Sequence, residues 1–286
     1  MIASKQRLRQ RISDGKTIFD IGGYTLGILY ALVIIIPLYY VGVSAFKDNS
    51  QIFSAPLALP TRLSFENFAK AEVAGRLGRA TMISFAVTAS AEVLTLLLAF
   101  PAAYAIARIR TPLAALVERF FSLGFLIPAF AMLVPVLLLM AQLNVLYNPI
   151  SLMLFYPAWR LPLAIVILAS YLRTVPRELE ESAEIDGASR LQIIRYILFP
   201  LARSGVITVM IINFITFWNE YLFSLILMSQ ENRTMQVALS ILKVERLVDY
   251  GMLAAGILIS IVPVYIAFLL FQERVVEGIY AGAVKG

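Results

Sequence analysis

Six apolar stretches, at about 23–45, 81–107, 120–141, 149–171, 205–228 and 252–271, dominate the 286 residues. Roughly 30 Å of hydrocarbon is crossed by about 20 helical residues, so each stretch is long enough to span a bilayer. Inside lipid every backbone N–H and C=O must be satisfied within the segment, which for isolated apolar runs leaves only the helix. The chain is therefore expected to be an all-α, polytopic membrane protein with six transmembrane helices. Composition points the same way: 60% of residues are hydrophobic and 15% charged, with mean hydropathy +0.83, against about half and a quarter in soluble domains. The fourth stretch contains Pro149, Pro157, Pro162 and Arg160. A short outer helix over 149–157, followed by a span from near 160, is expected there.

The basic residues give the orientation. Of 24 Lys and Arg, 15 fall in 1–22, 108–119, 172–204 and 272–286, and 8 in 46–80, 142–148 and 229–251. Positive charge favours the cytoplasmic side, which predicts both ends inside and 172–204 in the cytoplasm. The predicted organisation is a basic N-terminal segment (1–22), a six-span domain (23–271) and a C-terminal tail (272–286). The "VSA" at 43–45 resembles a signal cleavage site, but the apolar run before it exceeds the usual 7–15 residues, so an uncleaved anchor is expected. Loop 46–80 has turn residues Pro56 and Pro60 and a possible amphipathic helix near 64–79. Gly23 and Gly27 have the spacing of a helix-packing face.

The chain contains no Cys and no His, which removes thiol and imidazole chemistry. A phosphate-cradling G-x-x-x-x-G-K-[ST] loop is missing: Gly15-Lys16-Thr17 is preceded by Gln10 where the first glycine would stand. Catalytic residues, a metal site and cofactors on this chain are not expected. The net charge of +6 is spread over loops, so it is read as topology rather than nucleic-acid binding.

One polar interval stands out, "EESAEIDGASRLQIIRYILFP" at 180–200. Pro176 and the acids Glu178, Glu180, Glu181 and Glu184 suit the first turns of a helix. Gly187 can adopt the left-handed conformation that ends it. Ser189 and Gln192 form a capping box for a second helix, 190–198, which Pro200 stops. The exposed small residues Ala183, Gly187 and Ala188 would let another protein approach closely; an ordinary solvated loop helix fits the same composition.

"ESAEIDGA" (181–188) with "ILFP" (197–200) resembles the E-A-A-x-x-D-G-A … I-x-L-P signature of ABC importer permeases, departing only at Ser182 and Phe199. "FKDNSQIFSAPLALPTRLSFENF" (46–68), "FWNEYLF" (217–223), "TMQVALS" (234–240), "DYGMLAAGILISIVP" (249–263) and "GAVKG" (282–286) are similar to the smaller, maltose-type permease of carbohydrate importers. The resemblance implies the type I ABC importer permease fold, in the inner membrane of a bacterium. It also implies a cytoplasmic coupling helix that docks on a separate ATPase, with Glu181, Ser182, Ala183, Asp186, Gly187 and Ala188 at the contact. ATP and Mg would be bound by that ATPase. The implied partners are a second homologous permease, two copies of the ATPase, an extracytoplasmic solute-binding protein and membrane lipid. Loop 229–248 is either a contact for the binding protein or a plain connector.

Within the spans, Asn213, Thr216, Asn219 and Glu220 lie on roughly one side of the fifth helix next to Trp218. They could line a sugar path or hold helices together. Glu92, costly at mid-membrane, is expected to be a structural hydrogen-bond partner. The predicted function is movement of a sugar or oligosaccharide by alternating access, with polyols, glycerol phosphate or other organic solutes as alternatives. An ion-coupled transporter would show internal repeats and paired charges, and a membrane enzyme would need a catalytic constellation. Neither is evident.

Overall fold

The computed structural model describes residues 2–109, 111–243 and 249–283, with side chains from 23 to 270 within those ranges. Among the described residues fourteen α-helices follow in order: α1 Ile2–Ser44, α2 Asn49–Ser54, α3 Glu66–Gly75, α4 Leu77–Arg108, α5 Pro112–Leu123, α6 Leu133–Gln142 and α7 Pro149–Thr174. Then come α8 Glu178–Ile185, α9 Arg190–Ile193, α10 Phe199–Leu201, α11 Arg203–Asn219, α12 Leu222–Leu227, α13 Met235–Ile241 and α14 Tyr250–Ala283. Among the described residues four helices are long and apolar enough to cross a membrane: Gly23–Ser44, Leu77–Arg108, Pro149–Thr174 and Tyr250–Leu270. Two further candidates are bent pairs, Pro112–Leu126 with Ala129–Gln142 (97°) and Arg190–Leu201 with Arg203–Asn219 (73°).

Three predicted spans differ in detail. The third is not one straight helix over 120–141. It starts at Pro112, where the Thr111 hydroxyl accepts the Ala114 N–H, and breaks at Ile127–Pro128. The residue before a proline is pushed out of the helical region, and Ile127 sits at ψ 111. The fourth, expected to be divided near 157–160, is one helix from the Asn148 cap to Thr174 with Pro157 and Pro162 inside. Prolines persist in membrane helices where neighbours fill the gap they leave. Here Gly124 lets the α5 end close on Pro162, since a Cβ there would lie 2.8 Å from the ring. The fifth, expected to run unbroken over 205–228, stops at Asn219 and restarts at Leu222. The predicted helix near 64–79 also ends early: Arg76 takes φ 50, and α4 begins at Leu77 with the Glu72 carboxylate accepting the Gly78 N–H at 2.7 Å.

Two units are distinguished. The first comprises Met1–Ala71 and Leu247–Leu258. Its described core joins Ala45, Ala254 and Ala255 to Val41, Phe46, Phe68 and Leu258. The Asn67 amide donates to the Ala45 and Lys47 carbonyls at 2.9 and 2.8 Å, and the Lys47 ammonium to Ala55 and Pro56. Lys70 bridges Glu66 at 2.9 Å and Asp249 at 3.8 Å, and the Glu66 hydrogen bond raises its pKa above the ordinary lysine value. No atom lies within 4 Å of a Cβ placed on Gly23 or Gly27. The basic residues of 1–22 and the Lys285 end of "GAVKG" lie outside the described side chains.

The second unit comprises Glu72–Arg246 and Ile259–Gly286. It is built on α4 against α7, with α11 packed on both. One core cluster joins Ala99, Phe100, Ala103, Ile106 and Ala107 of α4 to Ala164, Ile165, Leu168, Ala169 and Leu172 of α7 and to Val206 and Val209 of α11. Alanines recur at the contact because small residues let apolar helices approach without the water-driven term that helps soluble cores. A second cluster packs Val87 and Ala91 with Leu152, Phe155, Tyr156, Phe217 and Phe223.

Candidate functional site

The interval between α7 and α11 folds as two short helices around a tight turn. α8 carries Glu178, Glu180 and Glu181 in its first turn, where acids oppose the positive end of the helix dipole. Pro176 lies just outside the helix rather than in its first turn, because α8 starts at Glu178. At the other end the Ala188 N–H bonds the Ala183 carbonyl at 2.9 Å and the Gly187 N–H the Glu184 carbonyl at 3.1 Å. Those two bonds make a Schellman motif, whose turn residue must be left-handed, and Gly187 sits at φ 83. Ser189 then caps α9: its Oγ accepts the Gln192 N–H at 3.4 Å and its own N–H donates to Gln192 Oε1 at 2.7 Å.

Beyond Ile193 the helix widens into a π turn over Ile194–Leu198 and continues through Pro200, so the expected stop there does not occur. The chain instead bends at Ala202, with φ −85 and ψ 9. A π turn shifts the hydrogen-bond register by one residue, here with the Phe199 N–H on the Ile194 carbonyl. The missing Pro200 donor is thereby carried without ending the helix.

Glu181, Ser182, Asp186 and Gly187 are exposed. Ala183 and Ala188, expected to be exposed, are half-buried because they pack against the α4–α7 core. The apolar surface turned outward comes from Ile185, expected beside a small stripe of Leu179 and Ala183, and from Leu191 and Tyr196, which were not singled out; they are 86%, 73% and 66% exposed. Asp186, Gly187, Ala188, Gln192, Tyr196 and Ile197 line a shallow hollow of about 330 Å³ beside them. Leu191 and Tyr196 belong to no periodic stripe, so no signal in the sequence set those two apart.

The polar residues of α11 divide. Asn213 is buried, and its Oδ1 accepts the Arg160 Nε–H at 3.2 Å. Arg160 and the buried Glu92 feel each other's charge, and Glu92 also faces Asn213. The Arg160–Asn213 bond joins α7 to α11, while the Glu92 carboxylate of α4, expected as a hydrogen-bond partner, is buried with neither oxygen bonded. Thr216 is half-buried and Asn219 exposed, each bonding back to its own helix, and Asn219 Oδ1 accepts from Gln236 at 3.3 Å. Glu220 accepts the Tyr156 hydroxyl at 2.8 Å and the Phe223 and Ser224 N–H groups at 2.8 and 3.0 Å. Trp218, expected beside a path, is 1% exposed and donates its indole N–H to the Ser260 carbonyl. An apolar groove of about 650 Å³ runs along Phe85, Glu92, Met210, Phe214, Pro263 and Tyr265.

The arrangement presents an exposed apolar patch on a capped turn, and among the described residues no group of three or more Asp or Glu could hold a metal ion. Residues 95–277 match the family described as the inner membrane component of binding-protein-dependent transport systems. The chain belongs to this family. It is a multi-pass inner-membrane transport component, and relatives along nearly its whole length are permeases of uptake systems. The diacetylchitobiose uptake system permease protein NgcG of Streptomyces coelicolor is 31% identical over 92% of this chain and 88% of its own. The sulfoquinovosyl glycerol transport system permease protein SmoH of Agrobacterium fabrum is 31% identical over 87% and 88%. Among solved structures, a bacterial ABC transporter involved in import of the acidic polysaccharide alginate superposes with a TM-score of 0.80. That match covers 90% of this chain and 96% of the other at 22% identity, and it shows the type I ABC importer permease fold.

Proposed function

We propose that this permease moves a sugar or oligosaccharide across the inner membrane by alternating access, driven by ATP hydrolysed on a separate ABC ATPase. Relatives named for diacetylchitobiose and sulfoquinovosyl glycerol support the substrate class. The observation that carries the mechanism is the α8–Gly187–α9 segment: capped at both sides of its turn, seated on the α4–α7 core, and offering Ile185, Leu191 and Tyr196 outward. An exposed apolar patch on an acidic inner loop favours a protein contact. Glu181, Ser182, Asp186 and Gly187 would meet the ATPase, with Ala183 and Ala188 beneath them. ATP and Mg stay on two copies of that subunit. A second homologous permease completes the path, a solute-binding protein delivers the cargo, and both ends of the chain are cytoplasmic. Asn213, Thr216, Asn219 and Glu220 belong to the helices that line or brace the path.

The test is Gly187→Asp in the assembled importer. The expected result is normal membrane insertion with solute uptake lost, because the turn that the ATPase grips is both strained and charged. Uptake at the unsubstituted rate would overturn the reading.

A further inference from the structure

We propose that Arg108 and Glu180 form a buried ionic clamp that makes the coupling segment move as one body with α4. That would make the pair positioning residues for transport. The proposal rests on the coupling role given above to α8.

A helix of 8 residues tethered to α7 through Val175, Pro176 and Arg177 would transmit a push poorly by its covalent link alone. Arg108, the last residue of α4, supplies a second link. Its guanidinium lies against the Glu180 carboxylate, with the side chains 9% and 12% exposed. The contact is an ion pair, since neither Arg108 Nε nor Glu180 Oε1 has an aligned hydrogen bond. Arg108 Nη2 donates to the Val175 carbonyl at 3.0 Å. In return Arg177 Nη2 donates to the Arg108 carbonyl at 3.0 Å, one of the acceptors a helix end leaves without a partner. Side chain meets backbone in both directions, so the α4 end and the α8 start cannot slide apart without losing both bonds and the pair.

Packing reinforces this. Ile106 and Ala107 of α4 share a core cluster with Leu172 and Val175, and Ala183 and Ala188 pack against the same cluster. By contrast, Arg173 and Glu118, which join α7 to α5 at 2.7 Å, are 45% and 33% exposed, and exposed pairs contribute little. Separating a buried pair leaves an uncompensated charge, so the clamp favours rigid motion over shear.

The experiment uses the complete importer in proteoliposomes with its ATPases and binding protein. It compares R108Q, E180Q and R108K by solute taken up per ATP hydrolysed and by the ATPase that co-purifies. R108Q and E180Q should keep the ATPase attached and hydrolysing while uptake per ATP falls ~10-fold, within the usual span of coupling energies. R108K, which keeps the charge, should retain most of it. A purely structural pair would lower yield or melting temperature and leave uptake per ATP unchanged. Unchanged uptake per ATP in R108Q and E180Q overturns the clamp, as does R108K failing as badly as R108Q. Where R108Q does not assemble, E180D makes the comparison: a partial fall supports the clamp and no fall overturns it. Normal uptake in Gly187→Asp would mean that the coupling reading has failed; loss there with normal R108Q and E180Q would mean that only the clamp has.

Discussion

Tyr156 of α7 donates its phenol hydrogen to Glu220 at 2.8 Å, and the same carboxylate caps the first turn of α12 through the Phe223 and Ser224 N–H groups. The break in the fifth span and the tie to the fourth are therefore one feature. The half-buried carboxylate is tolerated there because the protein supplies its hydrogen bonds.

Glu220→Ala should destabilise the folded protein, because it removes the cap and leaves Tyr156 only its contact with Ser224 at 3.0 Å. A hydrogen bond to a charged group contributes about 1.5–3 kcal/mol. Thermal unfolding in detergent should show a fall of several degrees, with Glu220→Gln intermediate and Tyr156→Phe smaller. No change in Glu220→Ala would mean that water supplies the bonds.

Glu92 and Arg160 should behave as a compensating pair. Arg160→Leu removes the bond to Asn213 and the positive charge that the buried Glu92 feels, so the protein should melt several degrees lower. Adding Glu92→Leu should recover most of that stability. A double-mutant cycle on melting temperatures checks it, and additive losses would show that the two do not interact.

Ile185 and Leu191 should contribute to ATPase affinity but not to folding. Burial of one such side chain is worth about 1.5–3 kcal/mol, so Ile185→Ser should weaken capture of the ATPase by roughly tenfold or more, measured by titration on the detergent-solubilised permease. Its melting temperature should not move, since Ile185 is 86% exposed.

Ser189→Ala tests the capping box. Loss of the hydroxyl cap costs about 1 kcal/mol, which should speed amide exchange in α9 while leaving α7 unaffected. Equal exchange would show that the Ser189 N–H bond to Gln192 suffices alone.

The α8–α9 segment was largely legible because its rules are local. Gly187 ends α8 and Ser189 with Gln192 starts α9 through bonds spanning no more than five residues. Ala183 and Ala188 escaped the same reasoning: the core cluster they pack against is gathered from α4, α7 and α11, elements distant in the chain. The third span's break at Pro128 follows a local rule too, but an unbroken apolar run concealed it. Pro157 and Pro162 misled in the opposite direction, since neighbouring helices absorb what a proline costs an isolated one.

The sequence by itself determined that this chain lives in a bilayer as a set of helices, because hydrocarbon admits no other way to satisfy so many consecutive peptide groups. It also determined that an acidic two-helix segment sits between the later spans, because capping and left-handed turns are written in neighbouring residues. Only the tertiary structure decided which charges meet. Arg108 finds Glu180, Arg160 finds Asn213 and Tyr156 finds Glu220 across 72, 53 and 64 positions. A buried charge takes the partner that packing brings to it, and that packing is set by the alanine-lined contact of α4 with α7, which no local pattern encodes.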